Sequence, residues 1–389
     1  MLNYEYHNPT KLIFGRGTEK KTGENVKEYA DKVLLVYGGG SIKRSGLYDE
    51  VIDSLKKENI QIVEFPGVEA NPKLPTVNRG IELCRKEKIP FVLGVGGGSA
   101  IDTAKAIAVG VPYDGDIWDF FIGKAEPQSA LPVGTIVTTP ATGSESSRNS
   151  VITNDKTGQK IGLVSSCIRP VFSILNPERC TTIPMKNLAN AVADMMSHIM
   201  ERYFTNTVHT EVIDGLCESL LRTIMKEGKY IQRHPGDYDT MCELVEAGNL
   251  AHNGLLSLGR ETDWAPHNME EIITGIYDCA HGAGLAVVTI AWMKYVYQKH
   301  IPMFVQFAVN VMGIQGSFRE QERMALDGIL ALEDFYKYMG LPVRFSELGI
   351  DDEKFEYMAK QSVEENEGTV GKLEELTGED VVNIYRLGL

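Results

Sequence analysis

The rhythm of apolar and polar positions changes once along the chain, near Pro184. Before it, short unbroken apolar runs alternate with segments whose apolar residues recur every three to four positions. Val33 to Tyr37 is continuously apolar, as expected of a strand buried on both faces. Further strands are predicted at Lys11 to Phe14, Ile60 to Phe65, Phe91 to Val95 and Val133 to Thr138. Tyr48 to Lys57, Val77 to Lys88 and a stretch from about Ala100 carry helical spacing. This alternation implies parallel βαβ units. Val151 to Thr153, Lys160 to Val164 and Val171 to Leu175 also read as strands, with a hairpin turn at Asn154 to Gly158. Beyond Pro184 long amphipathic helices follow, with few β-rich runs. Two domains are therefore expected, an α/β domain with a parallel sheet over 1–184 and an all-helical one over 185–389.

Two glycine-rich turns follow strands in the first half. Gly96-Gly97-Gly98-Ser99 opens a helix, and its glycines allow a tight turn and close approach of a ligand. Free N–H groups at the helix start suit a pyrophosphate. Ser99 and Asp102 also fit a capping box, so capping alone explains part of the motif. The spacing is not G-x-G-x-x-G. The second turn is Gly38-Gly39-Gly40-Ser41. It has no acidic side chain for a ribose 2′-hydroxyl, whereas Ser41, Lys43 and Arg44 suit a 2′-phosphate. The lesser alternative is a plain solvated loop with stray basic residues. A third polar stretch, Thr138-Thr139-Pro140-Ala141-Thr142-Gly143-Ser144-Glu145, follows a strand and offers hydroxyls to a phosphate or ribose.

In the helical half, Asp194 and His198 stand four residues apart on one helix face. That face is otherwise apolar, where an unpartnered carboxylate is costly and a cation would remove the cost. An Asp–His hydrogen bond is the simpler alternative. His267 follows Pro266, which suits a first helical turn. His281 lies in Cys279-Ala-His-Gly-Ala-Gly, whose small residues permit close approach of another element. One carboxylate and three imidazoles can hold a divalent transition metal with a position left open. Spacing alone does not make the four converge. His7, His209, His234, His252 and His300 have no comparable setting and read as surface or core residues.

Composition narrows the partners. With 389 residues, 43% hydrophobic and 24% charged, the chain is long enough for two cores and ordinary for a globular protein. A net charge of -14 argues against nucleic acid and anionic membranes. No apolar run reaches membrane-spanning length. The N-terminus lacks the pattern of a signal peptide. The six cysteines are scattered without a C-x-x-C pair, which predicts reduced, mostly buried thiols and a cytoplasmic setting. Trp118, Phe120 and Phe121 either enclose an apolar substrate or simply pack.

Taken together, Gly96-Gly-Gly-Ser-x-x-Asp-x-x-Lys105, Thr138 to Glu145, and Asp194-x-x-x-His198 with two later histidines resemble the iron-containing, or group III, alcohol dehydrogenase family. The likeness is strongest to its NADPH-dependent butanol dehydrogenase/aldehyde reductase branch and spans essentially the whole chain. It implies the dehydroquinate synthase-like fold, with an N-terminal dinucleotide-binding domain, a helical domain and a metal in the cleft between them. Asp194, His198, His267 and His281 fall on the four ligand positions, for Fe²⁺ or Zn²⁺. Gly97, Gly98 and Ser99 fall on the pyrophosphate loop, Asp102 near the nicotinamide, and Thr138, Thr139, Thr142 and Ser144 on a second cofactor loop. Gly38, Gly40, Ser41, Lys43, Asn71, Lys160 and Thr182 complete the implied cofactor contacts. Gly39 stands where NAD-preferring members carry an aspartate, which implies NADPH over NADH. Glu271 stands where many members have a further histidine, so a histidine relay does not carry over. The resemblance implies a homodimer that interconverts small aldehydes and primary alcohols. A dehydroquinate synthase-like lyase and a non-catalytic nucleotide-binding regulator are the rival readings; the apolar and acidic segments around the ligands ill suit the lyase's polyanionic substrate.

Overall fold

The computed structural model describes residues 1–316 and 320–389. Contacts divide the chain into two units. One comprises His7–Ile183 with Gly236–Asn253; the other comprises Met1–Tyr6, Pro184–Pro235 and Gly254–Leu389.

The first unit is built on a parallel sheet. Its strands are β1 (Lys11–Phe14), β2 (Lys32–Tyr37), β3 (Gln61–Phe65), β4 (Val92–Gly96), β5 (Val133–Val137) and, after a hairpin of β6 (Asn149–Asn154) and β7 (Gln159–Val164), β8 (Phe172–Leu175). The order across the sheet is β1-β8-β5-β4-β2-β3, with β6 and β7 forming an antiparallel pair of their own. Val33, Leu35 and Tyr37 of β2 enter one apolar cluster, and Leu34 and Val36 enter the other. That division explains the unbroken apolar run, since both faces of the strand are covered. The chain steps from β2 outward to β3, then crosses back to β4 on the far side of β2. Strand order therefore reverses between β2 and β4, and ligands of such sheets bind at the carboxyl ends beside that reversal.

Every predicted strand is present, with ends shifted by at most two residues. Two expectations require correction. The helix after β4 spans Gly98–Gly110 with Gly97 before it and no side-chain cap, so Ser99 and Asp102 form no capping box. The helix starts two residues early, and Asp102 turns to other partners. Contacts part the chain between Ile183 and Pro184, but not into two continuous segments. Helix Tyr238–His252 belongs with the sheet, where the Asn249 amide donates to Glu145 at 3.0 Å and to the Ser146 hydroxyl at 2.6 Å. The first six residues belong with the helices; the Met1 amine donates to the Val208 carbonyl at 2.8 Å.

The helical unit has its ligand-bearing helices at Met185–Tyr203, Ala265–Tyr277 and His281–Val296, with Gln321–Tyr338 among those around them. Helix His281–Val296 is buried on nearly all sides, as its apolar composition requires. Trp118, Phe120 and Phe121 pack into a core cluster of the sheet unit, and Trp118 stacks on Phe121 at 5.3 Å, so packing accounts for them. No disulfide joins the six cysteines, of which three are buried and three partly exposed, fewer buried than expected. No helix among the described residues is long and apolar enough to cross a membrane.

Lys294, from helix His281–Val296, meets Glu333 of helix Gln321–Tyr338, and Lys337 and Arg344 join the same carboxylate. Burial opposes the charge of Glu333, but these three cations outweigh it and hold its pKa near about 2, below the ordinary 4.5. The depressed pKa makes the cluster's contribution complete above pH 4.5 and lost as pH falls toward 2. Glu333→Gln should lower stability to urea by about 2 kcal/mol at pH 7, with the gap to wild type closing below pH 4.5.

Candidate functional site

The helical unit gathers the ligand set expected from sequence. Asp194, His267 and His281 bring one oxygen and two nitrogens within 4.8 Å of one another. From Asp194 Oδ1, the Nε2 atoms lie 3.2 Å away for His198, 3.7 Å for His267 and 3.8 Å for His281. His198 and His267 stack with centroids 4.5 Å apart.

Local sequence explains the convergence. Asp194 and His198 share a face of helix Met185–Tyr203. His267 sits in the first turn of helix Ala265–Tyr277, which Pro266 helps start. His281 begins its own helix, and the glycines after it allow the approach predicted for them. A Cβ at Gly282 would lie 2.0 Å from the Asn190 carbonyl oxygen, and one at Gly284 would lie 2.5 Å from Glu270 Oε1.

Two carboxylates not expected from sequence complete the site. Glu201 meets His267 Nδ1 at 2.5 Å, and Glu270 meets His281 Nδ1. Ser197 in turn donates to Glu201 at 2.6 Å, and Thr274 donates to Glu270. A carboxylate on Nδ1 holds the tautomer whose Nε2 is free to bind a metal. The signal was present: Glu201 is seven residues after Asp194 on the same face, and Glu270 is three after His267.

The residues fit a cation on an observation independent of family. Asp194 Oδ1 and His267 Nε2 are buried and have no hydrogen-bond partner. Unsatisfied buried polar atoms are rare and costly, and a metal would satisfy both at once. Burial disfavours charge on His267, yet Glu201 and Asp194 outweigh it and raise its pKa to about 10. The cage therefore attracts positive charge, and a metal would displace a proton.

In the sheet unit, nearly all the expected cofactor residues follow carboxyl ends of strands. Gly38, Gly39, Gly40, Ser41 and Lys43 follow β2, Asn71 follows β3, Gly97, Gly98, Ser99 and Asp102 follow β4, Thr138, Thr139, Thr142 and Ser144 follow β5, and Thr182 follows β8. Lys160 is the exception, on β7. The β4 and β5 loops touch: a Cβ at Gly98 would lie 2.6 Å from Thr142 Cγ2. Gly98 is thus needed for that approach, beside the open N-terminus of a thirteen-residue helix.

Beneath these loops lies a polar network that gives Asp102 and Ser144 a structural task. The Ser144 hydroxyl donates to Asp102 at 2.5 Å, and the Val151 N–H donates to the same carboxylate at 3.1 Å. Lys105 is fully buried and donates to Ser144 Oγ (3.0 Å), to the Ser147 carbonyl (3.0 Å) and to the Asn149 carbonyl (2.9 Å). Burial pushes its pKa down to about 8 against the pull of Asp102 and Glu145, so it stays charged at neutral pH. Lys43 lies 3.9 Å from Glu64 and 4.5 Å from the Tyr48 ring centre.

A nucleotide-edge α/β unit and a carboxylate–imidazole cage on helices together define a metal- and dinucleotide-using class of protein. The comparisons place the chain within it. Residues 9–177 match the family described as iron-containing alcohol dehydrogenase, and 188–388 match the Fe-containing alcohol dehydrogenase family, C-terminal. The chain belongs to the iron-containing alcohol dehydrogenase family. It is 42% identical over 387 residues to NADH-dependent butanol dehydrogenase A of Clostridium acetobutylicum, covering 99% of each. It is 33% identical over 389 residues to the NADPH-dependent aldehyde reductase YqhD of Escherichia coli, again covering 99% of each. The crystal structure of NADH-dependent butanol dehydrogenase A from Thermotoga maritima superposes with a TM-score of 0.96 at 41% identity, covering 100% of this chain and 99% of that one.

Two outcomes follow from the site's supports. Lys105→Met removes the donor from the Ser147 and Asn149 carbonyls and should cost about 1–3 kcal/mol in urea unfolding. Glu201→Gln should weaken metal retention about ten- to a hundredfold, read as metal content after dialysis against graded chelator.

Proposed function

We propose that this protein is a metal- and nicotinamide-dependent alcohol dehydrogenase that interconverts small aldehydes and primary alcohols, with butanal as a representative substrate. The observation that carries the reading is the cage of Asp194, His198, His267 and His281, with Asp194 Oδ1 and His267 Nε2 buried and lacking any hydrogen-bond partner. Family membership and the names of the relatives support it. When bound, the metal supplies Lewis acidity toward a carbonyl or hydroxyl oxygen and the nicotinamide gives or takes the hydride. Asp194 offsets part of the cation's charge. Glu201 and Glu270 hold His267 and His281 in the tautomer that presents Nε2. One carboxylate and three imidazoles suit Fe²⁺ or Zn²⁺, and the family's description favours Fe²⁺.

For the cofactor we propose NADPH over NADH. A Cβ at Gly39 would meet nothing within 4 Å. An acidic side chain would therefore fit there, and its absence removes the usual repulsion of a 2′-phosphate. Lys43 lies in the same turn, although Glu64 draws part of its charge. The C. acetobutylicum relative carries an NADH-dependent name, so the two cofactors must be compared directly. A homodimer is supported by β1, an edge strand with Leu12 and Phe14 exposed.

The test is aldehyde-dependent NADPH oxidation by anaerobically purified, Fe²⁺-loaded protein. Prompt oxidation with butanal is expected, with kcat/KM for NADPH above that for NADH. His267→Ala should lose metal and about a hundredfold or more in turnover while still binding NADPH. Full activity of metal-free protein sinks the metal's role, and a higher kcat/KM with NADH sinks the cofactor preference.

A further inference from the structure

Trp264 has φ 68° and ψ 6°, a left-handed backbone conformation that a bulky side chain rarely adopts. Glycine would take it without steric cost. Strain of this kind persists where the surroundings hold it in place, and here the indole is held on several sides. Its ring centroid lies 5.4 Å from that of His267 and 6.0 Å from that of His198, with interplanar angles of 71° and 69°. These are edge-to-face contacts with two imidazoles of the cage. The indole N–H donates to the Thr262 hydroxyl at 2.7 Å.

The Arg202 guanidinium lies 4.6 Å from the indole centre, within cation–π range. Arg202 is buried and fixed in turn. Its Nη1 donates to the His198 carbonyl at 2.5 Å, and its Nε donates to the Ser257 hydroxyl at 3.1 Å. The contacts close a circuit from the His198 main chain through Arg202 and Trp264 back to the rings of His198 and His267. Glu201 sets the tautomer of His267, but a single hydrogen bond at Nδ1 leaves the ring's tilt to its packing. The indole, beside the stacking of the two imidazoles on each other, limits that tilt for both rings.

We propose that Trp264 is a positioning residue of the metal site, whose indole, clamped by Arg202, fixes the tilt of the His198 and His267 imidazoles so that their Nε2 atoms are ready for a cation. This rests on the metal reading above. The test is Co²⁺ titration of metal-free protein, following the visible ligand-field bands. Trp264→Gly, which also relieves the backbone, should weaken Co²⁺ binding about tenfold and alter the band pattern. Trp264→Phe, which keeps an aromatic edge, should restore most of both. If the glycine variant does not fold, Trp264→Leu keeps apolar bulk without the edge and should show the same loss. Wild-type affinity and bands in Trp264→Gly or Trp264→Leu overturn the proposal. Wild-type protein that takes up no Co²⁺ overturns it together with the metal reading. Altered bands in the variants beside a wild type that binds Co²⁺ but turns over no aldehyde uphold the positioning role and overturn the activity.

Discussion

An aspartate oxygen buried among imidazole nitrogens, with no donor of its own, is the constraint around which the helical unit is arranged. Such a charge is expensive in a dry interior unless something positive meets it. Asp194 is met by three ring nitrogens at distances too long or too misaligned for hydrogen bonds. The imidazoles are themselves backed by buried carboxylates, so the cage carries more negative than positive character. Gly282 and Gly284 then appear as necessities, because a methyl group at either would push the His281 helix off its neighbours. Helix packing, glycine placement and the outer carboxylates all serve one arrangement of donor atoms.

The sheet unit handles charge in the opposite way. Its ligand edge is made of glycines, hydroxyls and a helix start, groups that receive an anion without carrying full charge. The full charges lie beneath, where Lys105 ties helix Gly98–Gly110 to the 144–149 segment. The loops thus inherit their shape from a buried ion cluster they do not display.

Legibility in the sequence followed the physics of each element. Strands of the parallel sheet were plain because a strand covered on both faces must be apolar throughout, and β2 is. The helix of Asp194 and His198 stood out because those two residues interrupt an apolar face. Glu201 and Glu270 were not, because a glutamate on an amphipathic helix ordinarily marks the solvent side, and only packing shows that these two are buried. Asp102 was misassigned to a helix cap because its partners, Ser144 and Val151, are 42 and 49 residues away. Helix Tyr238–His252 was assigned to the wrong unit for a related reason. Periodicity tells which face of a helix is apolar but not which core receives it. Trp264 gave no signal at all, since nothing in its neighbours' spacing announces a left-handed backbone.

The threading of the chain also governs the order in which the molecule can be finished on a ribosome. Residues 236–253 complete the sheet unit, so that unit stays open until about two thirds of the chain has been made. Met1 to Tyr6 find their partners only after Val208 and Gly259 emerge. Contacts of such long sequence separation slow assembly and lengthen the time that apolar surface is exposed. Those six residues therefore wait unplaced while most of the sheet forms behind them, and the two units mature as interleaved threads, each depending on sequence that flanks the other.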